Sequence, residues 1–156
     1  TIADAAFGAF VCQALRSRGL RGGLLCLEFT EADAAAQPAD AEKLVACVTE
    51  MGCHSALSRF GHSEVSFSLI KPLKVDFVKI DGNIILNMLR DRVAFAKVKA
   101  IAQVAHGSTI RTIAELVGDE QTLAALREVG VDFAQGFAVA HPRPLEETVS
   151  IAPGGL

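Results

Sequence analysis

The sequence predicts an α/β fold built on a parallel sheet, and three observations predict it. Helix-like and strand-like periodicities alternate along the chain. The strand-length run Leu24–Phe29 is apolar on both faces, as a strand covered on both sides is. Polar residues collect at or just past the C-terminal ends of those runs.

The elements follow in order. From Asp4 to Arg18, Phe7, Phe10, Val11, Ala14 and Leu15 fall on one helical face, and the glycines at 19, 22 and 23 end it. Leu24 to Phe29 is a strand. Ala41 to Met51 is a helix with Leu44, Val45, Val48 and Met51 on one side, and Ser55 to Phe60 is the second strand. Val65 to Ile70 is a short helix stopped at Lys71-Pro72, because the residue before proline is pushed out of the helical region. Strand Val75–Ile80, a helical turn or two over Asn83–Leu89, and a helix over Arg92–His106 come next. Strand Thr109–Glu115, helix Glu120–Val129 and strand Val131–Phe137 close the series. About five strand–helix units result. The tail after Pro144 is expected to fray.

Composition narrows the class. In 156 residues, 51% hydrophobic and 21% charged side chains exclude a disordered chain. A net charge of −3 gives no reason to expect a nucleic-acid partner. No apolar run is long enough for a membrane span in this segment, and the N-terminus lacks a signal-peptide layout. Cys12, Cys26, Cys47 and Cys53 form no C-x-x-C pair and read as free thiols in a reducing cytoplasm. His54, His62, His106 and His141 have no metal-ligand spacing and read as surface or loop residues.

The strand-end polar residues are Glu28 and Glu31, Ser58 and Arg59, Lys79 and Asp81, Glu115, then Gln135. In a parallel barrel, side chains from the C-terminal ends of different strands converge on one site. Any one of them alone could be a solvated strand end; together they mark a site.

Five strings carry a resemblance. Leu27-Glu28-Phe29-Thr30-Glu31 resembles L-E-I-T-E, and Ala56-Leu57-Ser58-Arg59-Phe60-Gly61 resembles A-L-D-D-F-G. Val75 to Asp81 resembles V-D-Y-L-K-I-D, and Ile113 to Gly118 resembles I-A-E-G-V-E. Gly130 to Phe137 resembles G-x-D-Y-x-Q-G-Y, followed by a matching Pro142. These are the motifs of the EAL domain family, in order and at family-like spacing. The resemblance implies a TIM-like (β/α)8 barrel of the EAL type, of which this chain holds about five βα units. Residues 1–145 are expected to be the C-terminal part of the domain and 146–156 a flexible tail. It also implies hydrolysis of cyclic di-GMP to linear pGpG with two divalent cations, Mg2+ or Mn2+. The opening segment of the family, with the E-A-L glutamate and a later asparagine ligand, has no counterpart in this sequence.

The site departs from the family. The family's glutamate, aspartate pair, lysine, two glutamates and glutamine fall on Glu28, Ser58, Arg59, Lys79, Glu115, Gly118 and Gln135. Three acids are lost, and Arg59 reverses one in sign. Glu28 and Glu115 are then balanced by Arg59 and Lys79. A neutral site is a poor collector of divalent cations, and a guanidinium cannot be a ligand. The expectation is a degenerate, non-catalytic EAL-like signalling domain without a metal. It would serve as a cyclic-di-GMP receptor, a protein-interaction module, or both, and a homodimer stays open. The alternative is a weak phosphodiesterase using Mg2+ or Mn2+. A structural remnant that binds nothing is a third reading.

Candidate ligand-binding residues are Glu28, Arg59, Phe60, Lys79, Glu115, Gln135, Phe137 and Pro142. Arg59 would hold phosphate in place of the cations, or else neutralise Glu28 or Glu115. Phe60 and Phe137 would stack on guanine, or else pack as barrel-top core.

Overall fold

In the computed structural model, residues 2, 4–62, 66–144 and 147 are described, with backbone only at 5 and 66. Five parallel strands form one sheet: β1 (Cys26–Thr30), β2 (His54–Phe60), β3 (Phe77–Ile80), β4 (Arg111–Ala114) and β5 (Phe133–Ala134). Their spatial order is their chain order. With right-handed crossovers, an unreversed order sends every connecting helix to one side of the sheet. That is a barrel wall rather than a doubly wound sheet. Among the described residues β1 and β5 have open outer edges.

The helices are α1 (Ala5–Ser17), α2 (Glu31–Ala36), α3 (Pro38–Glu50), α4 (Ser66–Leu73), α5 (Gly82–Asn87), α6 (Arg92–Gly107) and α7 (Glu120–Val129). Oxygen side chains start five of them. Asp4, Thr30, Asp81, Asp91 and Asp119 accept from backbone N–H groups that have no partner inside their helix. Gly130, at φ 82°, ends α7 in the left-handed conformation that favours glycine.

The core lies between the sheet and these helices. Leu57, Phe60, Val78 and Ile80 from the strands meet Ile70, Val98, Ile101 and Leu126 from the helices, all at 2% exposure or less. Phe60, a ligand candidate from sequence, belongs here: it is fully buried, with its ring 6.0 Å from that of Phe67 in an edge-to-face pair. Truncating such a phenylalanine to alanine costs about 3–5 kcal/mol.

The starts of the strands are tied by a repeated Val-Asp-Phe. Asp76 accepts from the Ser55 N–H at 2.8 Å, and His54 Nδ1 lies 3.4 Å from its other oxygen. Asp132 accepts from the Thr112 N–H at 2.7 Å and the Thr112 hydroxyl at 2.8 Å, with His106 Nε2 at 3.0 Å. The phenylalanines that follow flank Arg111, whose guanidinium lies 4.3 Å from the Phe77 ring centre and 5.6 Å from that of Phe133.

Several expected bounds move. Residues 24 and 25 precede β1, since Gly22–Leu24 form a 3-10 turn. The alanine-rich stretch is helix α2, capped by Thr30. Pro72 sits inside α4, which runs two residues past the expected stop at Lys71. Strands β3, β4 and β5 are shorter than read: their ladder pairs begin at Phe77, Arg111 and Phe133, while Ile110 and Val131 bond back to the ends of α6 and α7. The expected tail, 146–156, lies outside the described residues except for Glu147.

Candidate functional site

The C-terminal ends of β1, β3 and β4 deliver one ionic cluster. Lys79 points out of β3 on the face opposite Val78 and Ile80. Its Nζ lies 2.8 Å from Glu28 Oε2 and 3.0 Å from Glu115 Oε1. The side chain of Lys79 is only 12% exposed, against 46% for Glu28 and 21% for Glu115. Burial pulls the lysine pKa down, but the hydrogen bonds and charges of Glu28 and Glu115 outweigh it, so the net shift is upward. The ammonium therefore stays charged at neutral pH.

The β2 end is built differently. Ser58 is buried and its hydroxyl donates to the Phe29 carbonyl at 3.3 Å, so its oxygen is turned into the sheet. Between Leu57 and Phe60 the pairing with β3 slips, and Arg59 there takes φ 54°. A bulge with a left-handed residue re-aims the side chain at that point. Arg59 is 69% exposed and its Nε lies 3.9 Å from Asp81 Oδ2. The expected pairing of Arg59 with Glu28 or Glu115 is corrected: Lys79 takes both glutamates, and the guanidinium goes to Asp81.

Asp81 is the centre of this second cluster. It is 5% exposed, accepts from the Asn83 N–H at 2.8 Å as the cap of α5, and has His62 Nε2 at 3.1 Å. The carboxylate of Glu31, also buried, accepts from the Gly61 N–H at 2.8 Å. Gly61, at φ 102°, has no room for a side chain: a Cβ would come within 2.8 Å of Ile84 and 2.9 Å of Ile101. These contacts fix the loop that carries Arg59 and His62.

Beyond β4 the chain turns through Leu116 at φ 55°, where the family motif has glycine. Leu116 is 57% exposed and rests on Gly82, where a Cβ would be only 2.4 Å from its methyl carbon. Gly118 faces open space: a Cβ added there would meet nothing within 4 Å. Gln135 is held by its backbone, its N–H donating to the Ala114 carbonyl at 2.8 Å and its carbonyl accepting from the Val117 N–H at 3.0 Å. Phe137 stacks on His141 with ring centres 4.8 Å apart and planes 19° from parallel.

A cleft of about 620 Å³ joins these parts, lined by Arg59, Asp81, Glu115, Leu116, Gln135, Phe137, His141 and Pro142. Its volume suits a small-molecule ligand. Seven of the eight ligand candidates lie at this end of the sheet, and Phe60 alone is withdrawn into the core. Sequence reading missed His62, His141 and Leu116. It named Asp81 as a strand-end residue but left it out of the charge count. With Asp81 included, three acids face two cations, so the balance is one negative charge rather than zero.

The two divalent cations implied by the family motifs do not fit the residues present. Both available glutamates are engaged by an ammonium, Ser58 is bonded to a carbonyl, and Arg59 has no acceptor atom. Among the described residues no three His, Cys, Asp or Glu side chains converge in a metal-holding arrangement.

A parallel wall of βα units carrying an acid–lysine cluster at its C-terminal end defines the class as a barrel-type α/β domain with a polar top-face site. More closely, the chain belongs to the EAL domain family, whose match covers residues 1–142. It is 28% identical over 150 residues to cyclic di-GMP phosphodiesterase PdeF of Escherichia coli, covering 96% of this chain and 20% of that protein. It is 32% identical over 121 residues to cyclic di-GMP phosphodiesterase PdeB of Shewanella oneidensis, covering 78% of this chain and 14% of that protein.

Among solved structures, the PaMucR phosphodiesterase in complex with c-di-GMP matches with a TM-score of 0.88 at 27% identity, over 94% of this chain and 60% of that one. The FimX EAL domain of Xanthomonas citri in complex with c-di-GMP matches at 0.85 and 29%, over 92% and 57%. The chain thus spans a fifth or less of these two curated relatives and about three fifths of these solved domains. No described helix is long and apolar enough to cross a membrane.

Proposed function

We propose that this EAL domain signals without hydrolysis, as a receptor for cyclic di-GMP, as a protein-interaction module, or as both. The observation that carries the reading is the β2 end. Where the family motif has two aspartates, a buried hydroxyl is bonded into the sheet and a guanidinium is turned onto Asp81. Neither Ser58 nor Arg59 supplies a carboxylate to complete a two-cation centre opposite Glu28 and Glu115, and Asp81 is taken up by Arg59, His62 and the cap of α5.

Ligand binding survives that loss on physical grounds. Arg59 is mostly exposed at the cleft wall, with Nε 3.9 Å from Asp81, and its guanidinium can donate paired N–H groups to phosphate oxygens. The Phe137–His141 stack offers a flat, exposed face to a purine. Support also comes from the two similar domains whose structures contain c-di-GMP. Calorimetry with cyclic di-GMP, first in EDTA and then in Mg2+, tests the ligand half. Binding of similar strength in both is expected. No heat in either condition removes the receptor role and leaves partner binding.

A specific observation favours a second reading, a weak phosphodiesterase. Arg59 leaves the glutamates free of its charge, and the site retains one net negative charge. Mg2+ or Mn2+ would then have to displace Lys79 from Glu28 and Glu115. Product pGpG above a blank, abolished by Glu28→Ala, is the outcome that favours this reading.

A further inference from the structure

Away from the site, the contact between α1 and α3 is lined with thiols. Gly8 lets the helices approach: a Cβ there would stand 2.7 Å from Cys47 Sγ. Cys12 is one turn further along α1, so it lies on the same face as Gly8. Helical side chains lean toward the N-terminus, which directs the Cys12 sulfur back to the level of Gly8 and hence toward Cys47. Cys12 and Cys47 line one groove of about 690 Å³ together with Arg16 and Met51. Both thiols are partly exposed, whereas Cys53 beside them is buried. Burial, then the nearness of Cys12 and Cys47, pushes the Cys53 thiol up and keeps it protonated. Arg16, a turn beyond Cys12, places a cation in the groove.

We propose that Cys12 and Cys47 are a redox-sensitive pair that closes, on exposure to a peroxide, into a disulfide bridging α1 and α3. The Cys12 thiolate attacks hydrogen peroxide. An S–O bond forms, the O–O bond breaks, and the departing hydroxide takes a proton to become water. The Cys47 thiolate then attacks the Cys12 sulfur. An S–S bond forms, the S–O bond breaks, and a second hydroxide leaves as water. Two thiols lose two electrons and one peroxide becomes two waters. Closure needs the two Cα atoms within roughly 7 Å, which the missing side chain at Gly8 promotes.

The test is peptide mapping of the whole chain after stoichiometric hydrogen peroxide and alkylation of the remaining thiols. Trypsin with a glutamate-specific protease cuts after Glu50 and separates Cys47 from Cys53. The expected result is a peptide pair joined through Cys12 and Cys47, two hydrogens lighter than its parts and released by dithiothreitol. It persists in Cys53→Ser and is lost in Cys12→Ser and in Cys47→Ser. The oxidised protein should also melt higher by roughly 5 °C, because the bridge restricts the unfolded chain. A Cys47–Cys53 bridge, a bridge between two chains through the exposed Cys26, or full alkylation of Cys12 and Cys47 would each overturn the proposal.

Discussion

The two halves of the site differ in what their charges hold. In the Glu28–Lys79–Glu115 half, a largely buried ammonium bridges two strands to a third at hydrogen-bond distance. In the Ser58–Arg59–Asp81 half, the cation is exposed, at 3.9 Å, and its backbone is in a left-handed conformation. The first is a structural joint of the sheet, and the second is a loop with an exposed guanidinium. Buried pairs are costly to break, whereas exposed ones contribute little. The retained half should therefore govern stability, and the replaced half should govern what the site can bind.

Removing Lys79 should have the largest effect. Lys79→Met leaves two carboxylates facing one another without a cation, at a cost of about 3 kcal/mol. Urea denaturation at pH 7 measures it. An unchanged midpoint would erase the contrast between the halves. Restoring the acids should come next. Ser58→Asp with Arg59→Asp buries a carboxylate at position 58, destabilising the metal-free chain by about 2 kcal/mol. Millimolar Mn2+ should then raise the melting temperature of the variant and not of the parent chain, by mass action on the folded state.

The far end of the sheet separates these effects from general electrostatics. Burial raises the Asp132 pKa, but the Thr112 N–H, His106 and the Thr112 hydroxyl outweigh it and hold the carboxyl below its usual range. A depressed folded-state pKa stabilises above the unfolded value near ~3.9, and that contribution is lost as pH falls through the folded value. Melting curves from pH 6 to 3 should therefore show a steeper acid loss for the parent than for Asp132→Asn. The smallest effects belong to the replaced half. Leu116→Gly relieves a left-handed leucine but forfeits its packing on Gly82, for a net change within about 1 kcal/mol. Arg59→Ala should change stability by less than about 0.5 kcal/mol while weakening cyclic di-GMP at least tenfold. Equal affinity in Arg59→Ala would remove Arg59 from the binding account.

Much of the wall could be read from sequence, because strand-length runs of mostly apolar residues, such as Leu24–Phe29, alternate with helical periodicity. Their ends could not. Val75, Ile110 and Val131, just ahead of β3, β4 and β5, are as apolar as the strands, and only the ladder pairing tells them apart. Helix α2 was hidden because Ala34-Ala35-Ala36 has no periodicity, although Thr30 and Asp33 cap it. In the site, residue type was legible and direction was not. The aim of Arg59 is set by a bulge and a positive φ, which no spacing rule encodes. The Cys12–Cys47 approach is likewise invisible in sequence, since it depends on Gly8 and two helices far apart in the chain.

The central claim is that the β2 end no longer supports two-cation hydrolysis. Its most direct test is incubation of the chain with cyclic di-GMP and Mn2+, following pGpG by chromatography beside a protein-free blank. No product above the blank is expected. Product that appears with Mn2+, and disappears in Glu28→Ala, would contradict the claim and make this domain a phosphodiesterase with an unusual ligand set.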